Sequence, residues 1–132
     1  MNIFCKLSIL SITLPILGCA NMIGVTGADD GKRIGAWVEY NVSHPGLSIK
    51  IIEPYSDELI PISTVGKTSP SPLQHIVIFG AQSRQHKFEI LGRYKKQLYL
   101  DNKFYGSIWL GDILIRDGNL FVDGKQASAI EN

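Results

Sequence analysis

Between Ile34 and Val122 apolar side chains fall at every second position, in short runs broken by Gly, Pro, Asn and Asp. Side chains of an extended chain alternate between two faces, so this period selects strands buried on one side. Ile34, Ala36, Val38, Tyr40 and Val42 share one phase, and Leu47, Ile49 and Ile51 repeat it after Ser43-His44-Pro45-Gly46. Pro61 marks Leu59 to Val65 as an edge strand or a bulge, because proline removes a ladder donor. His75 to Gly80 is apolar in both phases, as in a central strand, and Ile76 and Ile78 are assigned to the core. Phe88 and Ile90, Leu98 and Leu100, then Phe104, Gly106, Ile108 and Leu110 continue the inward phase. Asp101-Asn102-Lys103, Asp117-Gly118-Asn119 and Asp123-Gly124 supply the positive φ that tight hairpins require. No window of about eleven residues in this region carries a helical period. The expectation is an all-β domain over 34–124, a small antiparallel sandwich or barrel of about eight short strands. Residues 19–33 read as a flexible tether and 125–132 as a tail.

A length of 132 residues predicts a single domain. Thirteen basic and twelve acidic side chains leave a net charge of +1. That argues against a nucleic-acid binder, which carries a basic excess or stripe.

The N-terminus differs from the rest. Lys6 is the only charge before Asp29, and Leu7 to Leu17 is an apolar run. It is shorter than the roughly 20 residues that cross a bilayer. A basic start and a small-residue end make it a secretory signal over 1–18. Its ending, Ile16-Leu17-Gly18-Cys19, resembles the bacterial lipoprotein signal residue by residue. The resemblance covers the signal alone. It implies cleavage between Gly18 and Cys19, a diacylglycerol thioether on Cys19 and acylation of the new amino group. One acyl chain holds a protein only marginally, whereas three hold it durably. Ala20 follows where an Asp would imply inner-membrane retention, so the resemblance implies an outer-membrane lipoprotein facing the periplasm, or, in a source with a single membrane, an anchor on its outer face. Cys5 leaves with the signal and Cys19 is consumed, so no disulfide is expected in the domain.

Catalytic and metal signatures are weak. Asp29-Asp30-Gly31 lacks the later oxygen ligands of a calcium loop and reads as a solvated turn. His44, His75 and His86 have no metal-ligand spacing; His44 reads as a turn residue before Pro45, and His75 and His86 as exposed or capping residues at strand starts, so no metal and no cofactor is expected. Asp57-Glu58 reads as turn solvation rather than a glycosidase pair. The stretch Tyr105 to Lys125 loosely resembles part of bacterial signal peptidases, but the serine–lysine pair of such enzymes is missing. Arg93-Tyr94-Lys95-Lys96 reads as a solvated hairpin turn. Trp37, Tyr99, Tyr105, Trp109 and Phe121 fall on the outward phase and form the candidate partner surface, since exposed apolar patches mark binding sites. The functional expectation is a non-enzymatic, lipid-anchored envelope protein that binds another protein, in an assembly, secretion, immunity or exclusion role. The alternative is a periplasmic glycan- or lipid-binding domain.

Cys19→Ser is expected to leave an unprocessed precursor without fatty-acid label. Cys5→Ser is expected to leave labelling intact. Metabolic labelling and mass spectrometry of the mature terminus check both.

Overall fold

The computed structural model describes residues 27–67 and 74–131. Gly18 and Cys19, and with them the signal and its lipidation, lie outside the described residues. Among those residues the fold is all β, with no helix.

The chain opens with β1 (Gly27–Ala28), β2 (Lys32–Ile34), β3 (Trp37–His44) and β4 (Leu47–Pro54). It then builds a separate five-stranded meander from β5 (Ser63–Lys67), β6 (Gln74–Ala81), β7 (Arg84–Leu91), β8 (Lys96–Leu100) and β9 (Lys103–Ile108). Finally β10 (Gly111–Arg116), β11 (Asn119–Val122) and β12 (Lys125–Gln126) return to the first sheet. That sheet has seven strands in the order β1-β3-β4-β10-β11-β12, with β2 also on β3. The two sheets pack as a sandwich and do not close into a barrel. All pairings are antiparallel except β10 on β4, which is parallel from Gly111↔Leu47 to Arg116↔Ile52.

Period two explains the layers. Val38, Tyr40, Val42, Leu47, Ile49, Ile51, Ile113, Ile115 and Leu120 face in from one sheet; Val77, Phe79, Phe88, Ile90, Leu98 and Leu100 face them from the other. Each fully buried side chain of this size contributes about 1.5–3 kcal/mol. With no disulfide expected, that single core carries the domain.

Several assigned phases are corrected. Ile76 and Ile78 are only partly buried, whereas His75, Val77 and Phe79 are fully buried. The two-residue turn Gln82-Ser83 is the cause: it sets Val77 opposite Phe88 and His75 opposite Ile90. Directly opposed residues share a face. Ile34 is 51% exposed at the tip of the β2–β3 hairpin, and Leu110 is 72% exposed in the β9–β10 loop. A register shift between Gln97 and Tyr99 sets Phe104 opposite Tyr99, on the outer face. Ile108 stays inward and packs partly against the core.

The sheet also extends past both expected boundaries. The stretch read as a tether contributes β1 and β2, because the Asp29 carboxylate replaces ladder partners where the edge breaks. It accepts hydrogen bonds from Asn41 N (3.0 Å), Asn41 Nδ2 (3.2 Å) and Gly31 N (3.2 Å). Gly31, at φ 89°, lies so close to Tyr40 that a Cβ would sit 2.5 Å from the ring. The stretch read as a tail provides β12, and then Ile130 N donates to Phe104 O at 2.7 Å.

Phe79→Ala is expected to cost about 3–5 kcal/mol of stability, as buried aromatic truncations do. Ile78→Ala is expected to cost well under half of that, and denaturant unfolding of the two variants checks the corrected phase.

Candidate functional site

The strand directions give the sandwich two unlike ends. At the near end, Gly27 pairs with Ser43, so the chain enters beside the His44–Leu47 turn. The loops 92–95 and 109–110 lie at this end. The far end collects Gly35-Ala36, the segment after Pro54, Gln82-Ser83, Asp101-Asn102 and Asp117-Gly118.

Beneath the near end lies a buried polar cluster. His44 ends β3 on the inward phase and stacks on His75, with ring planes 10° apart and Nδ1 to Nδ1 at 3.0 Å. One Nδ1 must donate and the other accept, so the two rings are opposite tautomers. Lys96 is buried as well, and its ammonium donates to the carbonyls of Tyr94 and Trp109. Lys96 therefore does not belong to a solvated basic turn; Arg93, Tyr94 and Lys95 alone are exposed there. Burial, with the charges of His75 and Lys96, pushes His44 down to about 4, and burial lowers His75 and Lys96 too.

A second cluster lies at the far end. His86 Nδ1 is 2.8 Å from Asp101 Oδ2 and donates to it. Arg84 Nη2 pairs with Asp117 Oδ1 at 3.3 Å. Glu53 is buried, and burial raises its pKa against the pull of His86 and Arg84 and with the push of Asp117 and Asp101. His86 Nε2 and Glu53 Oε2 have no hydrogen-bond partner among the described residues. Glu53, Ser56, Ser83, Arg84 and Asp117 line a depression of about 190 Å³ beside it. His86 is not on that lining; a Cβ on Gly118 would sit 3.2 Å from its Cε1. All three histidines are buried rather than exposed, because each falls on the inward phase. No cluster of three or more metal-ligating side chains occurs among the described residues.

The five outward aromatics do not form one surface. Trp37 and Phe121 lie on the outer face of the seven-stranded sheet, one at its far end. Tyr99 lies on the outer face of the other sheet, 5.2 Å from Phe104 ring to ring. Tyr105 packs against the core, inward because of the register shift beside it. Trp109 is 61% exposed in a near-end loop. Phase alone cannot assemble them, since the two sheets turn their outer faces in opposite directions.

Arginine stacking at the far end was missed by sequence reading. The Arg33 guanidinium lies 3.7 Å over the Tyr55 ring and Arg116 lies 4.8 Å from the Trp37 ring centre. Tyr55 N donates to Ala36 O at 2.8 Å, and the register sets Arg33 opposite Val38 and Ile34 opposite Trp37, so the two stacks flank the same hairpin end on opposite faces. Ile34, Trp37, Glu39, Ile52 and Arg116 line a shallow depression of about 150 Å³. The parallel β4–β10 ladder creates the Trp37–Arg116 contact, and alternation within single strands gives no sign of it.

Comparison with protein-family models, curated proteins and solved structures finds no match to this chain.

The histidine pair predicts acid sensitivity. Its folded pKa values lie below the unfolded value near 6.5, so the unfolded chain binds protons that the fold excludes. The associated stability is complete above about pH 6.5 and falls as pH drops toward 4, by about 3 kcal/mol for His44 alone. Glu53 acts in the opposite sense: its raised pKa favours the fold in acid and opposes it at neutral pH. The melting temperature is expected to fall between about pH 7 and 4.5 through the histidine pair, with Glu53 offsetting part of that fall. His44→Phe is expected to flatten that dependence.

Proposed function

We propose that the protein is a lipid-anchored envelope domain, held through Cys19, that binds a partner protein with the far end of its sandwich and catalyses no reaction. The paired stacks of Arg33 on Tyr55 and Arg116 on Trp37, around exposed Ile34, carry this reading. Trp, Tyr and Arg dominate the energetic centres of protein interfaces. The stacked guanidiniums are held in place before binding, which lowers the ordering cost. The depression beside the Trp37–Arg116 stack is below the roughly 300–1,000 Å³ of small-molecule pockets and suits one inserted side chain.

The glycan- or lipid-binding alternative has one favourable observation. Gln97, Tyr99, Asn102, Lys103, Phe104 and Ile130 line an open groove of about 620 Å³, where a sugar ring could stack.

Photo-crosslinking from position 37 in intact envelopes identifies the partner. Trp37→Ala is then expected to weaken its capture by at least about thirtyfold, the loss of a ~2 kcal/mol interface residue. Exposed Arg116→Ala should weaken capture with an unchanged melting temperature. Capture insensitive to both, alongside glycan or lipid binding abolished by Tyr99→Ala, would move the function to the groove.

A further inference from the structure

We propose that the near end of the sandwich docks on the lipid bilayer, with Trp109, Leu110 and Tyr94 at the interface. The proposal rests on the lipid-anchor reading of Cys19. These three side chains are 61%, 72% and 68% exposed, and they come from two loops far apart in sequence. Lys96 brings the loops together, since its ammonium donates to the carbonyls of both Tyr94 and Trp109. Leu110 is packed over Gly46, where a Cβ would sit 3.1 Å from Leu110 Cδ2 and 3.0 Å from Lys96 Nζ. The tip is therefore held as a unit. Its composition is that of a membrane interface, where amphipathic aromatic rings sit at headgroup level. Arg93 and Lys95 flank Tyr94 and are exposed beside it. Asp112 and Asp123 lie at the same end, but Asp123 Oδ1 accepts the Asp112 N–H at 2.9 Å, which holds that carboxylate on the backbone.

The path of the chain selects the bilayer as occupant. Seven residues, Ala20 to Thr26, separate Cys19 from Gly27, which pairs with Ser43 at this same end. Fully extended, such a segment reaches at most roughly 25–30 Å. Turning the far end to the membrane would make it run back along β3, an eight-residue strand of roughly 26 Å. Only the near end lies down on the surface without using that reach.

The test uses the full chain, produced in bacteria, purified from membranes and reconstituted into vesicles of phosphatidylethanolamine and phosphatidylglycerol with brominated acyl chains. The protein has two tryptophans, so Trp37→Phe leaves Trp109 as sole reporter and Trp109→Phe leaves Trp37. Brominated lipid is expected to quench and blue-shift Trp109 and to leave Trp37 unchanged. If either variant misfolds, Leu110→Cys with an environment-sensitive probe reports the same contact, as the only free thiol once Cys19 is acylated. Quenching of Trp37 overturns the orientation. Flotation with acylated Cys19 but no quenching at Trp109 or Leu110 overturns docking and leaves the anchor standing. A bare Cys19 and no flotation overturn the anchor and the docking together. A concentration-dependent blue shift of Trp109 without vesicles overturns the proposal in favour of a second copy of the chain.

Discussion

The parallel ladder between β4 and β10 is the constraint on which the other arrangements depend. Gly111–Arg116 returns to Leu47–Ile52 after the chain has laid down the whole second sheet. Without this ladder the seven-stranded sheet falls into two small pieces, and Ile113, Ile115 and Leu120 lose the face against which they pack. The contact is non-local, so its loop-closure entropy must be met before its hydrogen bonds can form. A domain closed in this way folds slowly compared with a plain meander. The same ladder places Arg116 beside Ile52 and hence within reach of Trp37.

The ladder also sets the polarity of the molecule. Because β10 runs with β4, the Trp109-Leu110 loop that precedes it lies beside the His44–Leu47 turn. Asp117 follows it at the far end and donates its N–H to Ile52 O at 3.0 Å. Each end buries a polar cluster, but the two are built differently. At the near end, Lys96 finds carbonyl partners and so ties two loops together. Both ends keep buried atoms without a partner among the described residues, Nε2 of His44 and His75 at the near end and His86 Nε2 and Glu53 Oε2 at the far end, but only the near cluster holds a lysine that joins two loops. The near end is thereby made rigid where docking is proposed, and the far end holds buried polar groups close to the proposed partner surface.

Fold class was legible because one face of nearly every strand is apolar and most tight hairpins carry Gly, Asn or Asp at the turn. Asp101 and Asn102, with φ of 51° and 68°, and Asp117, with φ of 48°, adopt the conformations their types allow. Phe88, Ile90, Leu98 and Leu100 were legible as core for the same reason. β6 was not, since Ile76-Val77-Ile78-Phe79 offers equal hydrophobicity to either face. The missing signal was in the turn: a two-residue Gln82-Ser83 connection fixes the register with β7, and the clear phase of Phe88 then forces Val77 inward. β9 failed for a different reason, because the register shift against β8 reverses the faces of Phe104 and Tyr105 midway along the strand. Nothing in the candidate surface could be assembled from phase, since it depends on which sheet each strand joins. The stacking arginines were legible only as isolated charges until β2 and β10 were placed.

What the sandwich does with its edges narrows where binding can occur. An open edge strand would invite pairing with another chain, and strand addition is a common mode of peptide recognition. Here β1 lies beside β5 and narrows one opening between the sheets. On the opposite side the segment after β12 lies against β9, where Ile130 N bonds to Phe104 O. The seven-stranded sheet ends in short pieces: β12 has two residues, and the three residues of β2 are all exposed, with Lys32 and Arg33 among them, whereas β5 and β9 are the longer edges of the other sheet. Short, charged edges give a poor template for added strands. In the orientation proposed above, with the near end on the bilayer, the far end with its stacked arginines is the surface that would face away from the membrane. A partner meeting that end would find Ile34 and Tyr55, 51% and 42% exposed, beside the two stacked arginines.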